Sequence, residues 1–262
     1  MVIKIVSLFS VATQKFITPL AIALISSLIV LVPLSAAQAA YRFIDAGGLP
    51  TRWQSKDESG ITAIRYAIAT KAVALRADSD EGRIKIANQD CKVTNAPSAS
   101  LHNSKLSYDD LRQALKLALQ LWEGAAPLRF IAVYDVEQAD LVIGEGELGL
   151  VAAAGLEVIP QPQDGFAEIK RGIVCLSRNE GFAVMGTEAK WNLTRVLAHE
   201  IGHVLGLDHP SVSQERAIRE NIFMDYRKEG IRPGLAPLSP LDVAGIQALY
   251  GDFTSGLVMS SK

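Results

Sequence analysis

The chain has 262 residues, 26 Lys and Arg against 28 Asp and Glu, a formal net charge of −2, and 49% hydrophobic with 21% charged residues. That balance excludes a disordered polyampholyte and a basic nucleic-acid binder, and the length suits one globular domain. Much of the positive mean hydropathy of +0.20 sits in the first forty residues.

Residues 1–39 read as a targeting segment. Lys4 and Lys15 precede a long apolar run, Ile17–Ala37, and Ala37-Gln38-Ala39 supplies the small residues a signal peptidase accepts. The cut is expected near Ala39, leaving residues 40–262 with a net charge of −4 once the two lysines are gone. The run is also long enough to span a bilayer. An uncleaved signal anchor is therefore the alternative, and a membrane contact is expected only in that case. Either way the remainder leaves the cytoplasm, for the periplasm or the extracellular space. Its acidic balance predicts no nucleic acid and no acidic membrane surface as partner.

Residues 40–262 hold no repeat or low-complexity tract and read as a single domain. Ile64, Tyr66 and Ile68 alternate with small or polar residues, as in a strand with one covered face. Residues 78–105 are polar and read as an irregular connection. Ser107 and Asp110 form a capping pair that opens a helix. Leu111, Leu115, Ala118, Leu119 and Trp122 line one stripe of it, and Gly124 ends it. The apolar runs Leu128–Val133 and Ala139–Gly144 suit covered strands, and strand, helix, strand predicts a parallel crossover. Gly149–Ile159 and Glu168–Ser177 read as two more strands, the first Ala-rich and at an edge, separated by a breaker over Pro160–Gly165. Ser239-Pro240-Leu241-Asp242 starts a last helix with apolar Val243, Ile246, Leu249 and Tyr250, which stops at Gly251.

Chemistry concentrates between Leu193 and His209. His199 and His203 are four apart, so on a helix both imidazoles reach one metal ion at roughly 2.0 to 2.1 Å, with Glu200 beside them. Gly206 permits the left-handed residue that stops the helix and lets His209 arrive as a third ligand. Three imidazoles leave one tetrahedral position open for water, as a catalytic zinc requires and a structural zinc does not. Glu200 can take the proton of that water and hand it to a leaving amine, so the pattern points to amide hydrolysis. Three of the chain's four histidines fall in this stretch. A lone H-E-x-x-H also occurs on ordinary amphipathic helices; the added Gly206 and His209 separate this one from them. The two cysteines, Cys91 and Cys175, fit an exported chain that closes one disulfide, or two buried thiols.

With HEIGHVLGLDH complete, the chain resembles the metzincin metallopeptidases, whose extended motif is H-E-x-x-H-x-x-G-x-x-H. Met224, in Ile222-Phe223-Met224-Asp225-Tyr226, stands fifteen residues after His209 and resembles the group's Met-turn. The order of elements from near Trp53 to Gly251 is similar to the matrixin catalytic domain. The resemblance implies an α/β fold of the α+β metzincin kind. It would hold a twisted, mostly parallel five-stranded sheet with an antiparallel edge strand, an active-site helix, a backing helix and a C-terminal helix. It implies an exported zinc-dependent endopeptidase with one catalytic Zn2+ on His199, His203 and His209, and Glu200 as general base. The substrate would be an extended peptide or protein, lying along the edge strand near Leu150–Ala154.

The chain also departs from that pattern. The region that carries a second, structural zinc in matrixins lacks histidines, and the calcium loop is reduced to GEGELG, which argues against Ca2+. Pro210 and the Met-x-Tyr spacing resemble the serralysin branch, where the phenol equivalent to Tyr226 lies near the zinc. The latency motif P-R-C-G-x-P-D is absent, which leaves Cys91 as a candidate cysteine gate. Two other readings stand beside the enzyme: a catalytically weak binding module on the same scaffold, and a membrane-anchored protein with a structural zinc. Intact Glu200 argues against the first and the open coordination position against the second.

Overall fold

Leu141–Gly146 is buried at every position, as a central parallel strand must be when both faces are covered. In the computed structural model it lies in a sheet whose spine runs, in spatial order, through Leu128–Ala132 (β5), Thr62–Ile68 (β3), Leu141–Gly146 (β6), Phe166–Ser177 (β8) and Ala152–Gln163 (β7). The structure describes residues 41–69, 84–86, 104–184, 191–213, 216–217, 220–225 and 236–253. β3 pairs in parallel with β5 and β6, β6 with β8 in parallel, and β7 with β8 antiparallel. This is the expected mostly parallel sheet with an antiparallel strand. Three short additions bring the five strands to eight. Asp45–Ala46 (β1) pairs with Leu49–Arg52 (β2), β2 joins the start of β8, and Ile84–Ile86 (β4) pairs with Leu156–Val158 of β7. A separate two-stranded sheet joins Phe182–Ala183 (β9) and Trp191–Asn192 (β10) in parallel.

Two local readings change. Residues 84–86, inside the stretch read as an irregular connection, are a strand. The tract Pro160–Gly165 is not wholly a breaker, because β7 continues to Gln163. The register slips between Ile159 and Gln163, over the span that holds Pro160 and Pro162, whose nitrogens cannot donate to a ladder. Only Asp164 (φ 52°) and Gly165 (φ 79°) form the turn, a left-handed pair suited to a two-residue hairpin.

The first helix, Tyr108–Glu123 (α1), starts at the expected capping box. Ser107 Oγ accepts from the Asp110 amide, and Asp110 accepts from the Ser107 amide. Leu111, Leu115, Ala118, Leu119 and Trp122 are its buried stripe. α1 follows β4 and leads into β5, which pairs in parallel with β3, and it packs against the second helix, Leu193–Val204 (α2). Pro240–Tyr250 (α3) begins at a second capping box, Ser239 with Asp242, and stops at Gly251.

Side chains alternate across the sheet. Leu141, Ile143, Val174 and Leu176 join the main core under the helices, while Val142, Ile173 and Cys175 join a smaller core on the opposite face. Cys175 therefore points away from α2; it is fully buried and disulfide-bonded. Among the described residues, no helix is long and apolar enough to cross a membrane.

Candidate active site

α2 delivers two of the histidines, and both of its ends are fixed by local chemistry. Asn192 caps it, its Oδ1 accepting from the Arg195 amide at 3.0 Å. The far end is a Schellman motif: the Gly206 amide donates to His203 O (2.9 Å) and the Leu207 amide to Gly202 O (3.0 Å), with Gly206 at φ 98°. A Cβ at Gly206 would run into Thr51 O. Only glycine fits, and the reversal it permits brings His209 back over the helix. Trp53 Nε1 and the Tyr250 hydroxyl donate to Val204 O and Leu205 O, both at 2.9 Å, so the last carbonyls of α2 are satisfied inside the core.

The three imidazoles converge. His199 Nδ1 donates to Phe223 O at 2.6 Å and His203 Nδ1 to Leu207 O at 2.8 Å, since a carbonyl can only accept. Those bonds fix the tautomer, and the Nε2 atoms of both rings present lone pairs toward the cleft. Each lies 3.2 Å from Nε2 of His209. Ligands held at about 2.0 to 2.1 Å in tetrahedral geometry are separated by roughly 3.3 Å, so the donor set fits a zinc ion by distance as well as by type. Burial holds His199 well below the usual imidazole range, and the neighbouring imidazoles add to it; burial also takes His203 down to about 4. The rings are thus kept in the neutral, metal-binding form.

Glu200 is 8% exposed and lines the same cleft, of about 450 Å³, as the three histidines. Burial pushes its carboxyl up to about 8, and a hydrogen bond donated by the Ala154 backbone amide of β7 pulls the other way. Ala152, Ala153 and Ala154 form one wall; Trp191, Val196, Phe223 and Asp225 contribute to the others. Met224 is fully buried beneath α2, against Gly202, where a Cβ would meet its Sδ.

Several contributors are not evident from the motif. Asp242, fully buried, accepts the Phe223 amide on Oδ2 (2.9 Å) and the Met224 amide on Oδ1 (3.3 Å), so the start of α3 holds the methionine turn. Arg195 sits in the first turn of α2, where a cation opposes the helix dipole. It donates to Asn221 Oδ1 (3.0 Å) and Ile222 O (3.1 Å) and lies 4.3 Å over the Phe223 ring. Trp122 Nε1 donates to Ala198 O at 2.9 Å and locks α1 onto α2. Of these, Asp242 is visible in the sequence through its capping spacing with Ser239, and Trp122 through the apolar stripe of α1; Arg195 leaves no such signal. Tyr226, Cys91 and most of the stretch from Arg227 to Pro237 lie outside the described residues.

The sequence profile of the matrixin peptidases matches residues 91–251, and the chain belongs to the matrixin family. Matrix metalloproteinase-19 of Homo sapiens is 35% identical over 162 residues, 61% of this chain and 28% of that protein. Metalloendoproteinase 4-MMP of Arabidopsis thaliana is 29% identical over 195 residues, covering 65% and 50%. Serralysin of Photorhabdus luminescens is 25% identical over 173 residues, covering 57% and 35%. The chain thus spans half or less of the length of these relatives. The family's catalytic ion is zinc, and His199, His203 and His209 form a cluster able to hold it.

Proposed function

We propose that the chain is an exported zinc-dependent endopeptidase that cleaves extended segments of peptides and proteins. The observation that carries this reading is the meeting of three lone-pair-bearing imidazoles, 3.2 Å apart across His209, with a buried carboxylate in one open cleft. His199, His203 and His209 would hold the zinc, which when bound acidifies water and polarises a carbonyl. Glu200 receives the proton of the attacking water and passes it to the leaving amine. The substrate lies antiparallel or parallel to Ala152–Gly155, the part of β7 that β4 leaves uncovered, and the apolar cleft takes a side chain next to the cut bond. Tyr226, two residues after Met224, is proposed as a further donor to the oxyanion. Residues 1–39 act as the export leader and 40–262 as one catalytic domain. Cys175 pairs with Cys91, the only other cysteine.

Replacement of Glu200 tests the role. Glu200→Ala should keep one zinc per chain and lose casein hydrolysis by several orders of magnitude, because the imidazoles hold the metal and the carboxylate only moves protons. Loss of zinc in the variant would place Glu200 among the ligands instead. A zinc-loaded wild-type protein unable to cut casein or gelatin would favour the binding-module reading. For the disulfide, denatured unreduced protein should show no titratable thiol; two per chain would refute the pairing.

A further inference from the structure

Tyr41 does not line the cleft, yet it is joined to it by a short series of hydrogen bonds. Its ring is buried against α3, where Gly245 leaves the room: a Cβ there would come within 2.9 Å of the ring. The phenol donates to Asp242 Oδ1 at 2.9 Å, the same oxygen that accepts the Met224 amide at 3.3 Å. Asp242 Oδ2 accepts the Phe223 amide at 2.9 Å together with the Ser239 amide (3.1 Å) and hydroxyl (2.6 Å). The carbonyl of Phe223 accepts from His199 Nδ1 at 2.6 Å. One carboxylate therefore stands between the phenol and the peptide unit that aims a metal ligand.

The backbone that follows Tyr41 is anchored to the loop of the third histidine. Arg42 O accepts the Asp208 amide at 2.9 Å, and the Ile44 amide donates to Gly206 O at 2.8 Å. The phenol is thus held in place by main-chain bonds, and it can act as a fixed post for the carboxylate. Packing alone would be served equally by phenylalanine; the hydroxyl is needed only for Asp242.

We infer that Tyr41 is a positioning residue for the metal site: its phenol fixes the rotation of the Asp242 carboxylate, which sets the Phe223–Met224 peptide and through it the His199 imidazole. Without the phenol, Oδ1 keeps, among the described residues, its long bond to Met224, and the carboxylate can turn toward Ser239. The Phe223 carbonyl then loses its fixed direction. Outer-sphere partners of ligating histidines commonly change metal affinity by about 10- to 100-fold. The inference uses the endopeptidase reading for its activity measurement alone; its metal measurements stand without it.

The test is Tyr41→Phe, with Val142→Ala in the small core on the opposite face of the sheet as a control for lost stability. Well below the melting temperature, Tyr41→Phe should release zinc to a chelator about tenfold faster than wild type, and the visible bands of its cobalt(II)-substituted form should shift. Its kcat should fall several-fold with KM little changed. Val142→Ala should lower the melting temperature without any of these effects. Gly245→Ala offers a second approach, since the new methyl group pushes the ring while leaving the hydroxyl and Asp242 in the chain; it should reproduce the zinc and cobalt changes. Wild-type zinc release and an unshifted cobalt spectrum in Tyr41→Phe would reduce Tyr41 to packing, whatever the melting temperature does. Absence of casein hydrolysis in every variant, wild type included, would remove the endopeptidase reading and still leave the zinc and cobalt results to decide Tyr41.

Discussion

Asp242 is the single residue with the most to lose. Its two oxygens accept from Tyr41, Phe223, Met224 and Ser239, and the side chain is fully buried, with no cationic partner among the described residues. Asp242→Asn would turn an NH2 group toward donors, leaving buried N–H groups unpaired at about 1–3 kcal/mol each. The expected result is a melting temperature lowered by several degrees and weaker zinc retention, read by a thermal melt and by metal analysis. The sequence displayed Asp242 as the partner of Ser239 three residues away; its contacts to Phe223 and Tyr41, 19 and 201 residues distant, leave no local pattern. His203 illustrates the pH side. Its folded pKa is depressed, so the unfolded chain binds more protons between the usual 6.5 and about 4. Stability of the metal-free protein should be intact above pH 6.5 and be lost as pH falls through about 4, by on the order of 3 kcal/mol for this residue. Urea melts of chelated protein across that range check it; a flat profile would mean that His203 is not buried in solution.

At the level of elements, legibility followed covering. β3, β5, β6, β8, α1 and α3 are packed on patterns short enough to read along the chain: alternation, apolar runs and two Ser-x-x-Asp boxes. β4 was not legible because, among the described strands, it pairs with the outer side of β7 alone, and an edge partner needs backbone groups more than apolar side chains. β7 read as ending too early because two prolines mark a break in most contexts, and here they sit in an irregular stretch. The turn after α2 was legible, since the motif itself requires Gly206. Gly206→Ala places a side chain at φ 98° and against Thr51 O. The left-handed strain alone costs about 1–2 kcal/mol. A larger total loss is expected, together with reduced zinc content as His209 is displaced; a variant with full zinc and an unchanged melt would contradict the geometry.

For the whole molecule, zinc binding and folding are one equilibrium. An ion bound to the folded state only, at a thousandfold excess over Kd, stabilises by about 4 kcal/mol, which for a domain of this size is on the order of 10 °C in Tm. A chelator should lower the melting temperature accordingly, and added zinc should restore it. The contact of Tyr41 with Asp242 has a consequence in time. The residues that seat the methionine turn come from the two extremes of the described chain, 201 positions apart. A ribosome that has just finished His209 has made the three clustered histidines and Glu200, but neither Met224 nor the helix whose Asp242 fixes it. Order of synthesis thus sets the order of assembly: the histidine helix leaves the ribosome before the carboxylate that seats Phe223 and Met224, so the three imidazoles wait for Asp242 before their support is complete.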